Sequence, residues 1–141
     1  EPFIEEVKSG KELRQWMDQN GFEKTYYADG ERNPDFDVCL ELGKDQHMDV
    51  FLPDTYSHGF TKWIKLMPEL EKINMLASPH AWGNRLKTHY TIHLAAGLGN
   101  ICTVEGVTCL SDDIDYGEYP IVDGKVQVSD APGFGMKLLR Q

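Results

Sequence analysis

Met48-Asp49-Val50-Phe51-Leu52-Pro53-Asp54 is apolar apart from Asp49 until it closes on a carboxylate, and it reads as a β-strand followed by an ionisable residue. The same pattern recurs along the chain. Lys24–Ala28 leads through Asp29-Gly30 to Glu31, Ile73–Ala77 through Ser78-Pro79 to His80, and Ile101–Val104 directly to Glu105. Glu31, Asp54, His80 and Glu105 stand 23, 26 and 25 residues apart. One strand plus one crossover helix takes roughly 25 to 30 residues, so this period predicts four successive parallel strands with an ionisable side chain at the carboxyl end of each. In barrel enzymes that end carries the chemistry.

The intervening segments read as helices. Ser9-Gly10-Lys11-Glu12 has the form of a capping box, opening a helix through Trp16 to Asn20 with Gly21 as its stop. Asn33-Pro34 offers a cap and a first-turn proline for a helix from Asp35 to Leu42, closed by Gly43. After a loop from Asp54 to Gly59, Phe60, Trp63, Ile64 and Met67 recur at helical spacing, with Pro68 expected to interrupt or kink that helix. Leu86–Leu98 is the last long helix. The tail changes character: Ile121-Val122, the turn Asp123-Gly124 and Val126–Val128 predict a small hairpin, and Pro132-Gly133-Phe134-Gly135 a tight irregular exit.

Composition narrows the class. The chain has 141 residues, 40% of them hydrophobic, enough for one domain with a real core and too apolar for disorder. Its net charge of −9, from 14 basic and 23 acidic residues without a basic cluster, argues against duplex nucleic acid or an anionic membrane surface as partner. No apolar run approaches the ~20 residues of a membrane span. Cys39, Cys102 and Cys109 are odd in number and widely spaced, which suits inert core thiols in a reducing cytoplasm better than a disulfide framework.

Alternating strands and helices predict an α/β fold with a right-handed parallel array, yet four units make only half of a closed barrel. Open edges are a liability that folds remove by closure or covering. With a chain beginning Glu1-Pro2-Phe3, the expectation is a partial barrel over residues 1–141, the last four β/α units plus a tail, with its first half elsewhere.

Glu1-Pro2-Phe3, Ala28-Asp29-Gly30-Glu31, Leu52-Pro53-Asp54, Gly59-Phe60-Thr61-Lys62-Trp63, Ser78-Pro79-His80-Ala81-Trp82-Gly83, His93-Leu94-Ala95-Ala96, Glu105-Gly106 and Asp130-Ala131-Pro132-Gly133-Phe134-Gly135-Met136 follow one another in an order and spacing that resembles the enolase superfamily, in its mandelate racemase-like group. The resemblance runs over essentially the whole chain. It implies the C-terminal half of a modified (β/α)8 TIM-type barrel, with magnesium as cofactor and an N-terminal capping domain in full-length relatives.

By that resemblance Glu31 is the third of three metal-binding carboxylates. Glu1 stands next to the proline, whereas in the family's Glu-Glu-Pro pattern the ligand resembles the first acid. Asp54 and His80 look like the family's Asp-His pair, and Glu105 like the acid that bonds the substrate carboxylate. Without the resemblance His80 reads equally well as a core histidine. The chemistry has a reason to need these types. A proton removed next to a carboxylate leaves a dianionic enediolate, so the site must supply a divalent cation and hydrogen-bond donors where that charge develops, and a histidine titrating near neutrality to move the proton. Trp82, in the loop after His80, is either a substrate contact or local packing, and Arg32 and Asn33, just beyond Glu31, are candidate contacts for substrate hydroxyls. His89 and His93 have helical zinc-ligand spacing but lack the glutamate of a metalloprotease helix. Trp63 belongs to the core.

The expected parent activity is an acid-sugar (aldonate or aldarate) dehydratase acting on a small hydroxy-carboxylate, with a racemase, epimerase or cycloisomerase as the near alternative. A non-catalytic half-barrel that only assembles with a partner is the alternative from another class. The expected partners are the other half of the barrel and further copies in a homo-oligomer.

Overall fold

A computed structural model describes residues 6–32, 34–106 and 109–139. Its centre is a parallel sheet of β1 (Ala28–Asp29), β2 (Val50–Phe51) and β3 (Leu76–Ala77), in that order, with Ala28, Val50 and Leu76 in register. The fourth expected strand, Ile101–Val104, is reduced to a single parallel bridge between Ala77 and Ile101. It still runs beside β3: Cys102 N donates to Ala77 O, and the Thr103 carbonyl accepts from the Ser78 hydroxyl instead of from a ladder amide.

The paired strands are shorter than their apolar runs because turns consume the ends. Ile73 caps the preceding helix, and Asn74 takes a positive φ of 54° there, so only Leu76 and Ala77 of the expected Ile73–Ala77 strand pair. Likewise Thr25 N closes a turn onto Phe22 O, and Met48 N bonds Leu42 O at the exit of a helix.

Helices cover one face. α1 (Val7–Gln19) starts before the expected capping box, which lies inside it; Glu6 is its cap and makes no side-chain bond. Val7, Leu13 and Met17 pack toward the core, and Gly10 lets α1 approach closely, since a Cβ there would lie 2.6 Å from Leu42 Cδ1. In α2 (Phe36–Lys44) the cap is Asp35, whose Oδ1 accepts from the amides of Asp37 and Val38; the expected cap Asn33 lies outside the described residues. Gly43 continues this helix instead of ending it. The expected loop after Asp54 contains a short helix, α3 (Thr55–His58), and α4 (Phe60–Lys72) runs through Pro68 without a break. α5 (Arg85–Leu98) is capped by the Asn84 side chain.

Between sheet and helices lie Leu42, Phe51, Trp63, Met67, Leu70, Met75 and Leu94, all buried. The cysteines are free, but only Cys39 is buried, its thiol pushed up to about 12 by burial and the nearby Asp29 and Asp35 carboxylates. Cys102 and Cys109 are exposed, against the expectation of three core thiols, because the segment carrying Cys102 is the outer edge of the sheet. Among the described residues no helix is long and apolar enough to cross a membrane.

The tail forms the expected hairpin about Asp123-Gly124, β5 (Ile121–Val122) with β6 at Lys125–Val126 instead of Val126–Val128, after β4 (Ile114–Asp115), which pairs antiparallel with β7 (Lys137–Leu138). Asp123 and Gly124 at the hairpin turn both have positive φ, as a two-residue primed turn requires. Two histidines hold this tail to α5. Tyr119 OH donates to Phe134 O at 2.6 Å, so it must accept from His93 Nε2–H at 2.7 Å. His89, fully buried, packs edge-on to Tyr119 with centroids 4.3 Å apart, and Phe134 sits against Phe60, Tyr90 and His93.

Burial lowers the pKa of His89 and His93, as it does, together with Lys62, that of His58. An unfolded chain titrates these imidazoles near ~6.5. Between that value and the lower folded values the unfolded chain binds more protons, so stability is full above ~6.5 and falls as pH drops through it. The urea midpoint should therefore be lower at about pH 5.5 than at about pH 7.5, with a smaller difference in His89→Phe. An unchanged slope in that variant would take His89 out of the account.

Candidate active site

Glu31, Asp54 and His80 lie just beyond the ends of β1, β2 and β3, and Glu105 ends the segment that runs beside β3. Gly30 carries the chain from β1 to Glu31 at a φ of 115°, passing directly over Phe51: an ideal Cβ would lie 2.7 Å from Phe51 Cε2. Proline precedes both Asp54 and His80, and those two residues form a parallel bridge of their own beyond β2 and β3. The His80 carbonyl accepts from both Thr55 N (3.0 Å) and Thr55 Oγ1 (2.9 Å), while Thr91 Oγ1 reaches Pro79 O.

The His80 ring is at the centre, only 13% exposed. Its Nδ1 is 3.1 Å from Asp54 Oδ2; its Nε2 is 3.4 Å from Glu31 Oε1 and 4.0 Å from Glu105 Oε2. Asp54 Oδ1 accepts from Tyr56 N and Ser57 N at the start of α3, and its Oδ2 also accepts from Lys87 Nζ. Burial raises the Asp54 pKa, but Lys87, the Ser57 amide, His80 and the Tyr56 amide outweigh it and hold the carboxyl at about 2. Asp54 is thus a carboxylate at any ordinary pH, and His80 must donate Nδ1–H to it, leaving Nε2 toward Glu31 and Glu105. Glu105 is fixed at both ends, Oε2 accepting from Ala81 N at 2.5 Å and its carbonyl from Thr88 Oγ1 at 3.0 Å.

The structure therefore brings Glu31, Asp54, His80 and Glu105 together. It leaves the two candidate substrate contacts at the margin: Trp82 is 66% exposed, and Arg32, also exposed, has its Nε 3.8 Å from Glu31 Oε1. Glu1 and Asn33 lie outside the described residues. Lys87 was not singled out from sequence, although a signal existed. A cation in the first turn of a helix opposes the macrodipole, and it calls for a carboxylate partner elsewhere in the fold.

Among the described residues Glu31 is the ligand the rim offers a hard cation. Glu31 has carboxylate oxygens at the rim, and magnesium demands about six oxygen donors in octahedral array. Among the described residues no cluster of three His, Cys, Asp or Glu side chains could hold a metal. Glu31 fits as one member of such a shell. His89 and His93, the other spaced pair, are engaged with Arg85 O and Tyr119 OH.

The family model for the enolase C-terminal domain-like proteins matches residues 1–141. The chain belongs to that family. Among solved structures, this enolase-like chain is similar to galacturonate dehydratase from Geobacillus sp., solved with D-galacturonate and 5-keto-4-deoxy-D-galacturonate: 29% identity, TM-score 0.86, covering 96% of this chain and 36% of that one. A mandelate racemase/muconate lactonizing protein from Geobacillus sp. Y412MC10, solved with magnesium and tartrate, matches at 29% identity and TM-score 0.86 over 96% of this chain and 35% of that one. A Zymomonas mobilis ZM4 protein at 18% identity and TM-score 0.67, with 94% and 40% coverage, speaks for the fold alone. The chain thus spans about a third of the length of its Geobacillus relatives and corresponds to part of a barrel domain. A comparison with curated proteins gave no match.

Gly30→Ala tests the Glu31 turn. A side chain at this φ, forced against Phe51, should cost about 1–3 kcal/mol in urea unfolding. An alanine tolerated without loss would show that the turn over Phe51 has room.

Proposed function

We propose that this enolase-family chain forms the proton-transfer rim of a magnesium-dependent acid-sugar dehydratase. The observation that carries the reading is the His80 ring, bonded to Asp54 at Nδ1 with Glu31 and Glu105 near Nε2. The likeness to a galacturonate dehydratase supports dehydration as the reaction class.

In this reading a small hydroxy-carboxylate lies with its acid end between Glu31 and Glu105. The Nε2 lone pair of His80 accepts the proton α to the carboxylate. The electron pair left behind forms the new carbon–carbon double bond as the β-hydroxyl leaves, taking its proton from the imidazolium, so one water departs and the enol product relaxes to a ketone. Asp54 stabilises the imidazolium between these steps and holds its tautomer. In this reading Glu105, held at Oε2 by the Ala81 amide, meets the substrate carboxylate through Oε1. Glu31 would hold magnesium with oxygens from the rest of the barrel. When bound, that ion supplies positive charge where the enediolate's charge develops. In this reading Arg32, at the open margin, meets distal hydroxyls, and Trp82 is a further contact with the substrate.

One carboxylate among the described residues is a poor magnesium site and the chain spans about a third of its relatives' length, so the activity is assigned to the assembly in which the remaining barrel is present, and the 141-residue polypeptide alone should bind magnesium weakly and turn over nothing. The free thiols support a reducing cytoplasm as its place.

The test is a panel of aldonates, aldarates and D-galacturonate in deuterated buffer with magnesium. Exchange of the α-proton reports abstraction, and loss of one water reports elimination. His80→Asn should lower kcat by ~100-fold to 10,000-fold, the usual worth of a general acid–base group, or by more because His80 serves both steps. Turnover by that variant at the wild-type rate would remove His80 from the mechanism.

A further inference from the structure

Lys87 stands where the proposed reaction has no stated use for it. It lies in the first turn of α5, after the Asn84 cap, with a side chain only 13% exposed. A cation there opposes the positive end of the helix dipole and gives up hydration, so it must be held by something stronger. Three groups hold it. Nζ donates to Asp54 Oδ2, approaches the Trp82 carbonyl at 3.4 Å, and lies 5.1 Å from the centroid of the Tyr56 ring. These partners belong to two different strand-end segments, the one after β2 with Asp54 and, in α3, Tyr56, and the one after β3 that carries His80 and Trp82.

We propose that Lys87 is a positioning residue for the Asp54–His80 pair: it cross-links the two segments at the root of α5 and so fixes the carboxylate that aims the His80 ring. Asp54 then has all its acceptor directions engaged, Oδ1 by the Tyr56 and Ser57 amides and Oδ2 by His80 and Lys87. Rotation of the carboxylate away from His80 would break bonds on both oxygens. The proposal rests on the reading of His80 and Asp54 as the proton-transfer pair.

Two substitutions separate charge from bulk. Lys87→Met keeps the unbranched apolar stem and removes the ammonium; Lys87→Arg keeps the charge and the donors. In the intact enzyme with magnesium and its acid sugar, Lys87→Met should lower kcat by ~10-fold to 100-fold, the scale of an ~1 Å misplacement of a reacting group, with KM changed by less than about 3-fold. Lys87→Arg should recover most of that loss. A folded Lys87→Met enzyme with kcat unchanged, a loss confined to KM, or an arginine variant no better than the methionine one would each overturn the proposal. Amide hydrogen exchange gives a second readout that needs no turnover. Residues 54–58 and 80–82 should exchange faster in Lys87→Met and at the wild-type rate in Lys87→Arg, and unchanged exchange in Lys87→Met would overturn the cross-link. A wild-type enzyme that dehydrates no acid sugar would sink the dehydratase reading while leaving this exchange test intact.

Discussion

The Asp54 carboxylate is the interaction on which the site depends. One of its oxygens starts a helix and the other meets an imidazole and an ammonium, so backbone folding and side-chain aim are decided by the same group. A carboxylate used only as a helix cap could be replaced by asparagine or serine at small cost. One used only against a histidine would need the surrounding loops to be rigid for other reasons. Combining the two means that α3 cannot form in its observed place without also placing Oδ2 within reach of His80.

The rest of the rim follows from strand geometry. Parallel strands with helical crossovers leave their carboxyl ends on one side, and the sequence reaches that side at intervals of 23, 26 and 25 residues. That regularity makes Glu31, Asp54, His80 and Glu105 legible in the sequence. Lys87 is not, because it comes from the start of a helix and belongs to no strand period. Trp82 and Arg32 lie at the exposed margin, since closeness in sequence to His80 and Glu31 does not by itself decide which way a rim side chain turns.

Boundaries were less legible than elements, for physical reasons visible at particular residues. Ile73 and Asn74 are apolar or extended in pattern, yet the chain uses them to leave α4. Ser9 to Glu12 has every residue of a capping box, but the packing of Val7 and the close approach at Gly10 pull the start of α1 upstream. Asp54 to Gly59 looks like a loop until the Asp54 side chain satisfies the amides that begin α3. The β4 and β7 pairing joins residues 22 or more positions apart through two-residue strands, and no local pattern announces it.

The three thiols differ in a way that can be put to use. Cys39 is buried beside acidic groups with its pKa about 12, so it forms almost no thiolate at neutral pH. Cys102 is exposed on the segment that ends the sheet, and Cys109 follows a few residues later. Maleimide chemistry at mildly alkaline pH, which offsets the rise that burial gives the Cys102 thiol, on a Cys109→Ser background would therefore place a single fluorophore or spin label on the sheet's outer edge. Whatever packs along that edge would change the label's mobility, making the chain its own reporter of barrel closure.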